Sequence, residues 1–499
     1  ANRLPDPVLQ QIEDFGDGTV SANDCFRPVS RYFDRITRPE QLLNALPRAF
    51  ATLTDPASCG PVTLAFCQDV QAQAYDWPES FFAPRVRTMR RPRPDRGEVD
   101  AAVRALKDAR HPLIIAGGGV HYSGACGHLR RFAEAHDIPV AETQAGKSAL
   151  PWDHPLNLGA IGVTGSSAAN RVAAKADLIF GIGTRFQDFT TGSWGLFRNP
   201  DRRILSLNVT AYDGEKQGGL ALVADAACGL EDLEEQFGDV RFTPPDEDLK
   251  QEWLRAVEQA TAAPAGDNVL PSDAQVIGAV NRQVDKDAIV VCAAGGLPGE
   301  LHKLWKPGRV GGYHVEYGFS CMGYEIAGGL GVKMANPDRE VVVMVGDGSY
   351  MMANSEIATS VMLGMKIIVV VLDNRGFGCI NRLQTGTGNE SFNNLLDTAR
   401  HATPSHIDFA THAASMGATG ETVGSIRELE DAMVRARQST QTHVIEIKTD
   451  PLASTEAGGA WWDVAVPEIS ERPQITAARK AYEQALAERQ KSQTEAGTK

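Results

Sequence analysis

No stretch of this sequence is long and apolar enough to cross a bilayer as a helix. Its longest clean apolar runs, such as IIVVVL at 367–372, have the length of a strand, against the roughly 20 residues a spanning helix needs. The N-terminus lacks a signal-peptide pattern and an initiating Met, so the chain reads as a cytoplasmic protein in fragment or processed form. Positive charge is in deficit: 49 Lys and Arg stand against 63 Asp and Glu, for a formal net charge of −14. That argues against a nucleic-acid or anionic-membrane partner, both of which require a basic face. It leaves room for an anionic ligand, because one metal ion and a helix N-terminus can reverse a local field. None of the eight cysteines forms a C-x-x-C pair, so zinc-site spacing and a dense disulfide framework are both missing. They read as buried or free thiols in a reducing compartment. His401, His406 and His412 lack metal-ligand spacing and read as surface or loop residues.

What is present is α/β signal. A chain of 499 residues has room for about three domains at ~100–200 residues each. Residues 1–86 contain a helix-like QLLNALPRAFATL and a buried-strand-like run after Gly60-Pro61, which suits the end of a domain more than a whole one. Residues 87–99 are rich in Pro and Arg and read as a linker. Residues 100–242 alternate strand and helix signals, which implies a parallel sheet covered on both faces. Its Gly117-Gly118-Gly119 turn does not complete G-x-G-x-x-G and reads as structural. Residues 243–269 read as a second linker. From 270 to 465 the alternation returns more strongly, in runs rich in Val and Ile that each end in Gly, Asp or Asn. Runs without alternation suit strands buried on both faces. Residues 466–499 read as an amphipathic helix with a polar, frayed end.

One stretch carries chemistry. REVVVMV reads as a strand, GDG as a turn, ANSEIATSVMLG as a helix closed by Gly364, and KIIVVVL as the next strand, followed by Asp373-Asn374. This is one βαβ unit, so both strands end on the same edge, where open α/β sheets bind ligands. Asn374 lies 27 positions after Asp347. Asp347 offers an anionic oxygen, Asn374 a neutral one, and the Gly376 carbonyl a third. With two phosphate oxygens and water these make the octahedron Mg²⁺ prefers. Gly346 and Gly348 allow close backbone approach, and a helix beginning near Ser349 points its N–H groups at the same phosphate.

GDGSYMMANSEIATSVMLGMKIIVVVLDN resembles the thiamine-diphosphate motif, which runs from Gly-Asp-Gly to a pair of Asn, the first replaced here by Asp373. The resemblance implies thiamine diphosphate and Mg²⁺ as cofactors, with Asp347, Asn374 and the Gly376 carbonyl on the metal. YGFSCMGYEIAGG is similar to the family segment holding the bulky residue beneath the cofactor, which places Met322 there. CAAGGLPGEL is similar to the loop that touches the diphosphate, with Gly296, Leu297 and Pro298 nearest. The implied fold is three doubly wound parallel-sheet domains: an incomplete pyrimidine-binding domain, a central Rossmann-like domain and a diphosphate-binding domain. The family's activating Glu is expected upstream of Ala1, so no catalytic residue is assigned on this chain. Family architecture, with the cofactor held between two subunits, also implies a homodimer or homotetramer.

ANRLPDPVLQQIED, EYGFSCMGYEIAGGLG, DNRGFGCINRLQ and GGAWWDVAVPEIS resemble a branch of the family that opens a cyclic 1,2-diketone to a 5-deoxyuronic acid in myo-inositol breakdown. Candidates for holding so polar a substrate are Tyr324, Glu325, Asn381, Arg382 and Trp461-Trp462. Two other readings are an acetolactate-synthase-like carboligase or decarboxylase acting on pyruvate, and a non-catalytic cofactor-binding protein.

Overall fold

A computed structural model describes residue 17 and residues 20–266, 269–403 and 405–497. The segment ANRLPDPVLQQIED lies outside the described residues. Three parallel sheets follow one another along the chain. The first has two strands, β1 (Tyr32–Ile36) and β2 (Val62–Phe66), joined through the helix Leu42–Thr54. The sequence suggests only the second. YFDRI hides the first because Asp34 and Arg35 interrupt its apolar residues. β2 buries only Ala65, with Val62, Thr63 and Leu64 half-buried and Phe66 exposed, not enclosed as its composition suggests, because little packs over it: the core of this unit is Ile36, Ala45, Cys67 and Val70.

The central sheet comprises β3 (Pro112–Ala116), β4 (Val140–Glu142), β5 (Asn157–Ala160), β6 (Leu178–Ile182), β7 (Arg203–Asn208) and β8 (Leu220–Val223). Their order is β5-β4-β3-β6-β7-β8, all parallel. The chain therefore winds outward in both directions from β3 and β6, the doubly wound arrangement. The glycine turn after β3 is bonded to the end of β6: Gly117 donates its N–H to the Ile182 carbonyl (2.8 Å), and Gly119 to the Gly183 carbonyl (3.0 Å).

The third sheet holds β9 (Ile289–Cys292), β10 (Tyr313–Val315), β11 (Val341–Gly346), β12 (Ile368–Asp373), β13 (Thr419–Val423) and β14 (His443–Lys448), in the order β10-β9-β11-β12-β14-β13. Successive residues of a strand face opposite sides. Val290, Val342, Met344, Val370 and Ile445 accordingly enter one core, while Val291, Val343, Val345, Val369 and Val444 enter the other. Two buried faces explain why β9, β11 and β12 are apolar along nearly their whole length.

The stretches read as linkers are more structured than their composition suggests. Residues 96–99 already belong to the helix Arg96–Asp108. The arginines before it do not repel. Arg91 bonds Asp225 (2.9 Å) and Arg93 bonds Glu231 (2.8 Å) at the N-terminal part of the helix Ala226–Phe237. Within 243–269 lies the helix Glu247–Thr261, which buries Trp253, Val257 and Thr261, one residue per turn, the first two in a core shared with the third sheet. Charges around so narrow a stripe hide it. The C-terminal helix, Pro473–Gly497, continues through the residues expected to fray. Among the described residues no helix is long and apolar enough to cross a membrane.

Candidate cofactor and metal site

The third sheet reverses its winding between β9 and β11, and open α/β sheets take ligands in the crevice beyond the carboxyl ends of strands at such a reversal. Here the loops after β9, β11 and β12 meet. β11 ends at Gly346, and a short helix, Asp347–Met352, starts at once. Asp347 is buried. Its Oδ2 accepts the Gly376 N–H (2.8 Å), while its Oδ1 has no partner. Asn374, just past the neighbouring strand β12, likewise has a buried Oδ1 without a partner. Each unsatisfied buried acceptor costs about 1–3 kcal/mol. One anionic and one neutral hard oxygen, both unspent, are a donor set that suits Mg²⁺. Burial, and then the charge of Asp373, pushes the Asp347 carboxyl up to about 7, against the opposing bonds from the Gly376 and Gly348 N–H groups. Gly376 has φ +139°, and a Cβ there would lie 2.4 Å from the Asn394 carbonyl oxygen, so only glycine brings this N–H to Asp347.

The helix expected to run unbroken to Gly364 is two helices, Asp347–Met352 and Glu356–Met362. Ala353, at φ −156°, leaves helical geometry, and Asn354 bonds the Tyr350 carbonyl. The Ser349 hydroxyl faces into the protein. It donates to both carboxylate oxygens of Glu325 (2.7 and 2.8 Å) and accepts the Gly323 N–H (2.8 Å). Glu325, a candidate for holding substrate, is thus a buried brace, 1% exposed, between the Met322-Gly323 bend and the Gly-Asp-Gly corner. Tyr324 bonds His314 (2.7 Å). Met322 reaches the corner: its Cε lies 3.6 Å from where a Cβ on Gly348 would stand.

Gly296 caps the helix Leu297–Leu304, with Pro298 in its first turn. This helix is held by the central sheet's loops. Gln144 donates to the Pro298 carbonyl (3.0 Å) and accepts from the Tyr313 hydroxyl (2.9 Å); Lys147 donates to the His302 carbonyl (2.9 Å). The His302 ring lies between the Glu142 carbonyl and the Thr164 hydroxyl, both at 2.9 Å. Burial and then Lys147 push its pKa down to about 3, so the ring is neutral; burial also lowers Lys147 to about 8. Sequence gives no signal for Gln144 and Lys147, whose partners lie 154 and 155 positions away.

The remaining candidates divide. Arg382 lies beside the Gly296 loop and donates to the Pro451 carbonyl (2.8 Å). Asn381 is buried and accepts from Ser391. Trp462 bonds Asp188 (3.0 Å) and Trp461 packs on Gly192 and Gly195, so the Trp pair serves the contact with the central unit. A ring chain, Trp462–Phe189–Tyr317, runs from there toward the Met322 segment. His412 is neither loop nor free surface: it sits in the helix Phe409–Ser415 and bonds the buried Tyr350 hydroxyl (3.0 Å).

Unspent hard oxygens at the carboxyl edge of a doubly wound sheet, beside a glycine-capped helix, suit the class of proteins that bind a metal-chelated diphosphate. The comparisons give this class its family. A model described as "Thiamine pyrophosphate enzyme, central domain" matches residues 99–233, and "Thiamine pyrophosphate enzyme, C-terminal TPP binding domain" matches 293–447. The chain belongs to the thiamine pyrophosphate enzyme family. It is 44% identical over 507 residues to 3D-(3,5/4)-trihydroxycyclohexane-1,2-dione hydrolase of Geobacillus thermodenitrificans, covering 96% of this chain and 79% of the relative. The proteins of that name from Clostridium tetani and Bacillus anthracis are each 42% identical, over 97% and 96% of this chain and 80% and 79% of their own lengths.

Proposed function

We propose that the protein is a thiamine-diphosphate-dependent hydrolase that opens the ring of 3D-(3,5/4)-trihydroxycyclohexane-1,2-dione at a carbon–carbon bond, giving 5-deoxyglucuronate in myo-inositol breakdown. The observation that carries this reading is 44% identity across 96% of the chain to a hydrolase of that name. The paired, unspent oxygens of Asp347 and Asn374 support the cofactor assignment. When bound, thiamine diphosphate supplies a nucleophilic carbon and an electron sink for the breaking bond. Asp347, Asn374 and Gly376 would hold its Mg²⁺, the loop Gly296-Leu297-Pro298 and the backbone at Gly346, Gly348 and Ser349 its diphosphate, and Met322 its ring system. Glu325 fixes the Met322 bend against the Gly-Asp-Gly corner, which keeps these groups in one geometry.

Assembly as a homodimer or homotetramer is part of this reading. It is supported by exposed Phe319, Met351, Met352, Ile380 and Phe392 on the segments bordering the site, since exposed apolar side chains grouped in this way mark contact surfaces. Eight free cysteines agree with a reducing compartment, the cytoplasm. The test is product analysis with the cyclic diketone and with pyruvate, each with thiamine diphosphate and Mg²⁺. Ring-opened acid from the diketone is the expected result. Acetolactate from pyruvate with the diketone untouched would overturn it in favour of a carboligase.

A further inference from the structure

The edge of the third sheet that faces the crevice is rich in carboxylates: Asp347, Asp373, Glu325 and Asp273 are all buried there. A metal-chelated diphosphate brings more negative charge than one divalent ion removes, so such an edge needs a cation. The neighbouring cations are turned elsewhere. Arg375 is paired with Asp397 (2.7 Å), and Lys303 donates to the Thr455 carbonyl (2.9 Å). Arg382 differs from both. It projects from the helix Gly378–Gly386, which begins just after the Asn374–Gly376 turn. Its Nη1 is fixed by the Pro451 carbonyl (2.8 Å), while Nε and Nη2 have no protein hydrogen bond among the described residues. Its Nη2 lies over the diphosphate loop: a Cβ on Gly296 would come within 2.5 Å of that nitrogen, so the glycine is what admits the guanidinium. Asp273, at the start of the helix Asp273–Gln283, is 4% exposed, and its Oδ1 has no partner. Arg382 is the leading favourable charge acting on that carboxylate, opposing the burial that raises its pKa.

We infer that Arg382 is a ligand of the cofactor's diphosphate, reaching it across Gly296 with the guanidinium edge that Pro451 leaves open. A planar guanidinium with one nitrogen anchored and two donors to spare matches the bidentate geometry of a phosphate. This rests on the cofactor reading proposed above and adds to it a residue which the thiamine-diphosphate motif does not contain.

The experiment is calorimetric titration of the protein with thiamine diphosphate and with thiamine monophosphate, both with Mg²⁺, for the unaltered chain and for Arg382→Met, Arg382→Lys and Gly296→Ala. Arg382→Met is expected to weaken diphosphate binding by about ten- to a hundredfold, the scale of a charge-assisted hydrogen bond, and monophosphate binding far less. Arg382→Lys should recover part of the loss. Gly296→Ala should mimic Arg382→Met by displacing the guanidinium, and the double variant should be no worse than Arg382→Met. Circular dichroism and melting without cofactor check that each variant folds. Unchanged diphosphate affinity in Arg382→Met with a raised KM for the diketone would overturn the inference, since Arg382 would then contact substrate. Equal loss of both thiamine phosphates would also overturn it, in favour of a purely structural role. Failure of the unaltered protein to bind thiamine diphosphate would instead overturn the cofactor reading beneath it, and this inference with it.

Discussion

Asp347 is where the chemistry of single residues is most exposed to experiment. Asp347→Ala removes the anionic member of the oxygen pair and leaves the Gly376 N–H without its acceptor. Mg²⁺-dependent binding of thiamine diphosphate is expected to disappear, as calorimetry would register, with the fold retained. The same carboxyl makes a pH prediction. Its folded pKa, about 7, lies above its ordinary value of 3.8. In the metal-free protein the native state therefore binds more protons than the unfolded chain between those limits, so this group's contribution to stability falls as pH rises from about 4 to 7 and levels off above. The change is on the order of a few kcal/mol. Urea unfolding in EDTA across this range should show the slope, and Asp347→Asn should lack it. Mg²⁺ affinity should rise over the same window, because the ion competes with the proton.

At the scale of elements, legibility followed the distance between partners. Four strands of the third sheet, β9, β11, β12 and β14, and the Gly-Asp-Gly corner could be read because their information is local: apolar runs of strand length, glycines where a strand turns, an amide oxygen one βαβ unit on. The short β10 and the polar β13 (TGETV) carry no such run. The helix Glu247–Thr261 was not legible, since one buried residue per turn among charges leaves almost no periodic signal. Nor was the inward turn of Ser349 and Glu325, which depends on two segments meeting in space. Least legible was the attachment of the helix Leu297–Leu304 to the central unit, made by polar side chains far away in sequence. That attachment is testable. Gln144→Leu keeps the volume but strands the Pro298 carbonyl and the Tyr313 hydroxyl, both buried beside it. A loss of about 1–3 kcal/mol in urea unfolding is expected, together with weaker thiamine-diphosphate binding, because the loop proposed to hold the diphosphate heads this helix.

For the whole molecule, the segments around the crevice expose side chains that a lone chain leaves in water. Phe319 is 91% and Phe392 69% exposed. Sedimentation should find a dimer or larger, and Phe392→Glu should shift the population toward smaller species and lower activity in parallel. An unchanged assembly would place the subunit contact on another face.

The buried polar seam joining Gln144, Lys147 and Thr164 to Pro298 and His302 also bears on how such chains can diverge. Donors on one side are matched to carbonyls and a neutral ring on the other, so neither side can drift alone. A chimaera that grafts a relative's middle third onto this third sheet would inherit mismatched hydrogen bonds directly beneath the loop proposed to hold the diphosphate. It would show the fault first as lost cofactor retention, before any loss of secondary structure, and would regain function only when both faces of the seam were exchanged together.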